Sequence, residues 1–121
     1  MIDVLDGFPD AVTAFVAEGR VTKKDYDDVL IPKLENALRE HKKIRCYYEL
    51  GERYSGIEAG AVWTDCKFGI KHLSRWERIA VVTDVRWIRI VVKAFRFLIP
   101  GEIRAFETTM IADARNWIAA T

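Results

Sequence analysis

Residues 78–102, "RIAVVTDVRWIRIVVKAFRFLIPGE", hold the reading on which the fold depends. The first part, 78–84, is a short continuous apolar run, the pattern of a central strand buried on both faces. The remainder reads as one helix over 85–99. Asp84 is available as its N-cap, and Ile88, Val91, Val92, Phe95 and Leu98 recur at helical spacing before Pro100 and Gly101 stop it. At about 100° per residue, Arg86, Arg89, Lys93 and Arg96 fall into one stripe roughly 80° wide. All other positions on this helical wheel are apolar, about twice the stripe that an ordinary surface helix buries. The surplus needs an occupant: core, ligand, membrane or a second subunit.

Outward from this stretch, helices and strands alternate. "AVTAFVAEGRV" (11–21) is β-rich and ends in a glycine turn. Thr22 and Asp25 form a capping-box pattern that opens a helix over 22–41, with Tyr26, Leu30, Leu34, Ala37, Leu38 and His41 on one face. Pro32 is expected to kink that helix or divide it. "KIRCYYEL" (43–50) alternates Ile44, Cys46, Tyr48 and Leu50 against Arg45, Tyr47 and Glu49, a strand with two unlike faces. A polar loop, "GERYSG" (51–56), precedes a helix over 57–73. Its inner face is read as Ala59, Val62, Cys66, Gly69, Ile70 and Leu73, small enough to approach a sheet closely. A strand, "EIRAFET" (102–108), and a closing helix, "MIADARNWIAAT" (110–121), complete the chain. Two strands, then helix–strand three times, then a helix imply parallel right-handed crossovers. The expected fold is α/β: a mixed, mostly parallel sheet of four or five strands with about four helices, in one domain spanning 1–121.

Composition narrows the function classes. The 121 residues are 50% hydrophobic and 31% charged, with 19 Lys and Arg against 18 Asp and Glu. A nucleic-acid binder usually shows a basic excess across the domain, so none is expected. Cys46 and Cys66 lie in apolar periodic segments and read as reduced core thiols of a cytoplasmic protein. The N-terminal residues lack the basic-then-apolar pattern of an export signal, and no run nears the ~20 apolar residues of a membrane span.

No catalytic constellation emerges. The glycines of 51–60 lack the spacing and the lysine of a phosphate loop. His41 and His72 sit at helix C-termini among cations, where metal binding is disfavoured. An apolar strand face raises the pKa of Cys46 rather than activating it. The acids of "DYDD" (25–28) complement a helix N-terminus. The expectation is therefore no enzyme, no cofactor and no metal.

Aromatic and basic residues carry more information. Trp76 and Trp117 read as core. Trp63 lies off the small-residue face of its helix and Trp87 begins a helix already rich in apolar surface, so both suit an interface or a pocket mouth. A basic helix with a broad apolar face suits an anionic amphiphile or a membrane surface.

Four stretches, "GRVTKKDYDDVLIPKLENAL" (19–38), "KIRCYYEL" (43–50), "WTDCKFGIKHLSRWERIAVVTDVRWIRI" (63–90) and "GEIRAFETTMIADARNWI" (101–118), resemble the bacterial SpoIIAA-like proteins of the STAS/SEC14 type. The likeness spans essentially the whole chain, most specifically between Trp63 and Trp87. It implies a STAS-like fold, related in architecture to lipid-carrying CRAL-TRIO domains, with binding of nonpolar ligands and association with membranes. Anti-sigma-factor antagonists of the STAS class carry a phosphorylatable Asp-Ser-Ser-Gly at a helix N-terminus. Here Glu58, Ala59 and Gly60 take the place of Ser-Ser-Gly, and Ser55 lies upstream, so the phosphoswitch is missing.

Three functional expectations follow from these readings. In the first, Trp63, Trp87, Val91, Phe95 and Leu98 line an apolar ligand pocket, while Arg86, Arg89, Lys93 and Arg96 hold an acidic head group or an anionic membrane. In the second, the loop around Ser55 and Glu58 is the partner surface of a protein-interaction module. In the third, the spare apolar face joins two copies into a homodimer.

Overall fold

Alternation along "IRCYYEL" decides which side chains meet on each face of the sheet. In the computed structural model, which describes residues 1–120, this segment is β4 (Ile44–Leu50), at the centre of five strands. The sheet contains β1 (Ile2–Leu5), β2 (Val12–Ala17), β4, β6 (Trp76–Val82) and β7 (Glu102–Phe106), in that spatial order. Only β1 runs antiparallel to its neighbour; the other pairings are parallel. A separate parallel pair joins β3 (Arg20–Val21) to β5 (Gly56–Ile57), within the expected turn and polar loop. Gly19 makes the β2–β3 turn with φ of 60°, a conformation that suits glycine.

Parallel register aligns like faces. Phe15, Tyr48 and Val81 lie in one row, and Cys46, Ile79 and Ile103 in another. On this face the core includes Phe15, Tyr26, Leu30, Leu34, Ile44 and Trp76. Val12, Ala14, Tyr47, Ala80 and Val82 project to the opposite face, where Ala114 and Ile118 of the last helix cover them.

The helices are α1 (Lys23–Asp25), α2 (Ile31–Glu40), α3 (Ala59–Lys71), α4 (Arg86–Phe95) and α5 (Ile111–Ala119). The capping box forms as its sequence pattern predicts. Thr22 Oγ1 accepts from the Asp25 amide at 3.1 Å and Asp25 Oδ2 accepts from the Thr22 amide at 2.8 Å. Pro32 does not divide the helix. A π turn, Tyr26–Leu30, joins α1 to α2, and the Ile31 amide donates to the Tyr26 carbonyl. Proline lacks an amide hydrogen and its ring crowds the preceding turn, so a widened turn just before it absorbs the misfit. Successive right-handed crossovers, all moving from β2 toward β7, put the segment from α1 to α2, α3 and α4 on the same face.

Two boundaries in the stretch 78–102 differ from expectation. The strand is Trp76–Val82, and the helix ends at Phe95, with turns over 96–98. Asp84 is not the N-cap of α4. Val85 takes that place, and Asp84 accepts from the Thr108 amide at 3.1 Å and from its hydroxyl at 2.5 Å. Tertiary competition explains the change, because Thr108 offers two donors at once.

Candidate functional site

The interior strand β6 is not sealed on both faces, as its continuous apolar run would have it. Ala80 and Val82 are fully buried on the α5 side, while Ile79 and Val81 remain half-buried. They border a cavity of about 190 Å³ between the sheet and the helices α3 and α4. Its floor includes Cys46 and Tyr48, and Tyr26 and Leu30 close one end. Trp87, Ile88, Val91, Val92 and Phe95 form the α4 wall; Val62, Asp65, Cys66, Phe68 and Gly69 form the α3 wall. Val62, Cys66, Gly69 and Leu73 of the face read for this helix line the cavity, while Ile70 is exposed and Asp65 and Phe68 widen the wall. A cavity between α3 and the strands means that its small residues do not serve close contact with the sheet. Close packing of α3 is with α1 instead, and Ala61 near its start is fully buried in the core.

Asp65 is the single charged side chain on this wall among the described residues. By accessible surface Asp65 is exposed, yet protein atoms crowd its carboxyl and push it up to about 6. It belongs to the wall of a cavity that opens to the surface. Among the described residues no donor or cation is paired with it. Burial likewise raises the Tyr26 and Tyr48 phenols and the Cys46 thiol well above their ordinary values, with the charge of Asp65 adding to each. These groups stay protonated at neutral pH, so none is an activated nucleophile. The Tyr26 hydroxyl donates to that of Tyr48 at 3.2 Å.

The five expected pocket residues separate into two groups. Trp87, Val91 and Phe95 border the cavity. Trp63 is 66% exposed and faces away, because one helical face cannot present both Trp63 and Asp65–Cys66 inward. Leu98 is also exposed, since α4 ends at Phe95 and no longer sets its direction. Asp65 escaped the sequence reading because apolar periodicity counts a carboxylate as a surface residue. Its signal was position alone, one residue before Cys66 and three after Val62.

Arg86, Arg89, Lys93 and Arg96 are absent from the cavity wall. Their stripe lies on the outer side of α4, roughly opposite the inward residues at about 100° per residue. Arg86, Lys93 and Arg96 are exposed, whereas Arg89 donates to the Thr83 carbonyl at 3.3 Å. Asp84 and Glu107 share a shallow depression with Arg86, Arg89 and Lys93 and offset part of their charge. Beside the stripe lies the apolar surplus, which is not core: Ile90, Leu98 and Phe97 are exposed, Phe97 at 91%. Among the described residues, no helix is long and apolar enough to cross a membrane.

Ser55 and Glu58 lie near the start of α3. Ser55 is exposed, and its amide donates to the Gly19 carbonyl at 2.9 Å. Glu58 is the N-cap of α3, but its carboxylate accepts from the Lys23 amide at 2.9 Å, tying α3 to α1.

A sequence profile of the SpoIIAA-like family matches residues 12–119. The chain belongs to the SpoIIAA-like family. Among solved structures, it resembles an uncharacterised DUF3478-family protein with a SpoIIAA-like fold from Shewanella loihica PV-4. The two are 28% identical with a TM-score of 0.75, over 98% of this chain and 92% of that one. No curated protein matches the sequence. The family is non-catalytic, and this member is a non-catalytic domain. The same five-stranded mixed sheet is the family's STAS-like topology, a fold associated with protein interaction.

Proposed function

We propose that this SpoIIAA-like domain is a binding module that takes a nonpolar ligand into the cavity between α3, α4 and the sheet. The supporting observation is an apolar cavity that reaches the surface beside Trp87 and Val91, which are 47% and 40% exposed. Protein interiors are close-packed, and an empty space forfeits dispersion contacts. An occupant restores them and removes its own apolar surface from water, at about 25 cal/mol per Å². The outer side of α4, with Ile90, Phe97 and the cations Arg86, Lys93 and Arg96, suits contact with an anionic membrane from which a lipid ligand is collected. Native mass spectrometry of protein purified without detergent tests the reading. The expected result is an added small-molecule mass that organic extraction removes. A bare chain that also fails to bind any apolar probe defeats the reading, and a clean dimer of bare chains favours the homodimer instead.

A second reading draws on the family, whose fold is associated with protein-interaction modules. Its surface is the loop before α3, where Ser55 is exposed. Neither Glu58 nor Ala59 offers a hydroxyl for phosphorylation, so a switch there has only Ser55 to use. Stoichiometric phosphate on Ser55, mapped in protein from its native cells, puts this reading first.

A further inference from the structure

The cavity wall is chemically lopsided. It presents apolar side chains, three phenols of which Tyr26 and Tyr48 pair with each other, two thiols and, among the described residues, one carboxylate without a partner. A purely hydrocarbon occupant would displace water from Asp65 and offer it no partner, an unfavourable exchange for a charged group. A fatty acid would bring a second negative charge into the same space, where like charges repel strongly. The cations that suit an acidic head, Arg86, Arg89, Lys93 and Arg96, lie outside the cavity and cannot answer that repulsion.

We propose that Asp65 is the polar anchor of the cavity, and that the ligand is a small apolar molecule bearing a protonated amine, its ammonium group hydrogen-bonded to the Asp65 carboxylate. The inference rests on the nonpolar-ligand reading above and specifies the head group. Charge complementarity carries it: one anionic group, no cation and an apolar remainder form a mould for a compact cation on a hydrocarbon body. Size limits the body. A cavity of about 150 Å³ lined by aliphatic and aromatic side chains holds benzene. The 190 Å³ here therefore suits a single ring or a chain of about seven carbons. At neutral pH an alkylamine is protonated, having an ordinary pKa near 10 like that of lysine. Asp65 is then mainly ionised, because its carboxyl titrates about a unit lower, near 6.

Three probes of one chain length, heptylamine, heptanol and heptanoate, test the anchor by titration calorimetry at pH 7.5 and moderate salt. The amine should bind tightest, roughly tenfold or more above the alcohol, because both can donate to the carboxylate but only the ammonium brings an opposite charge to it. Heptanoate should bind weakest. Asp65→Asn should reduce the amine to the level of the alcohol, closing the gap between the two probes. Asp65→Leu should do the same, which guards against a particular side chain misfolding, and circular dichroism confirms that both variants fold. Equal binding of all three probes, or tightest binding of heptanoate, overturns the amine anchor but leaves the nonpolar-ligand reading standing. An amine preference that survives in both variants also overturns it. If none of the three binds, both readings fall together.

Discussion

The Tyr26 hydroxyl donates to the Tyr48 hydroxyl across 3.2 Å, linking the π turn to the central strand at the cavity floor. This bond holds two buried phenols that would otherwise each lack a partner in apolar surroundings. It exists because the widened turn before Pro32 brings residue 26 over β4. Its removal is unequal in its effects. Tyr48→Phe leaves the Tyr26 donor without an acceptor and should cost about 1–3 kcal/mol, whereas the double Phe variant should cost less than the sum of the singles. Urea unfolding of the four proteins measures the coupling, and additive single effects would show that the bond contributes nothing.

Asp65 makes stability pH-dependent in a direction opposite to that of a salt-bridged acid. Its folded value, near 6, lies above its ordinary value of 3.8, so between the two pH values the folded chain holds a proton that the unfolded chain has lost. Stability from this group therefore falls as pH rises through that window and reaches its full penalty above about 6. The groups sharing its cavity, Tyr26 from the π turn, Cys46 and Tyr48 from β4, Tyr54 from the loop and Cys66 on α3, are raised above neutrality and do not titrate there. Because Asp65 is exposed and water screens the effect, Asp65→Asn should raise Tm at pH 7.5 only slightly, by about a degree, with the gain vanishing at pH 4. Equal Tm values for variant and parent at both pH values would remove Asp65 from this role.

The tryptophans at the two ends of the cavity should respond differently. Trp76 is 5% exposed and donates its indole hydrogen to the Gly69 carbonyl at 3.3 Å, so Trp76→Ala should cost about 3–5 kcal/mol. Trp87 is half-exposed at the mouth, and Trp87→Ala should cost about 1–2 kcal/mol while weakening capture of an apolar fluorescent probe. A large loss of stability at Trp87 would mean that it supports the core rather than the entrance.

Gly101 is required for a steric reason. A Cβ there would lie 2.5 Å from the Glu77 carbonyl oxygen and closer still to that of Trp76, both on the backbone of β6. Backbone cannot move aside as a flexible side chain can. Gly101→Ala should destabilise by about 1–3 kcal/mol, with β6 and β7 losing hydrogen-exchange protection first.

If the outer side of α4 meets anionic lipid, changing Arg86, Lys93 and Arg96 together to Gln should weaken co-sedimentation with anionic vesicles. About 1 kcal/mol per charge is expected, and high salt should reproduce part of the loss because attraction decays over about 8–10 Å. Wild-type protein that fails to pellet at low salt would confine function to the cavity.

Much of the architecture was legible because it depends on local chemistry. Period-two alternation in 44–50 and the Thr22–Asp25 pair express their structures within a few residues and are found as expected, and the apolar run of 78–84 gives a strand, though one with a half-open face. The surplus of apolar surface on 85–99 was legible too, but not its destination. Helical periodicity records that a residue is apolar, not whether packing density suffices to cover it. Only the tertiary fold, by holding α3 off the sheet, leaves Val81 and Val91 facing a space rather than each other's neighbours. The N-cap at Asp84 failed for a related reason: Thr108 is 24 residues away in the chain and adjacent in space. Asp65 is the clearest case. From the sequence it is one acid among 18, and its distinction comes from its place on the cavity wall, where no partner for it lies among the described residues. Local pattern determines strands, helices and their order because the backbone hydrogen bonds at short range. Burial, desolvation and empty volume are sums over distant segments, and only the assembled chain sets them.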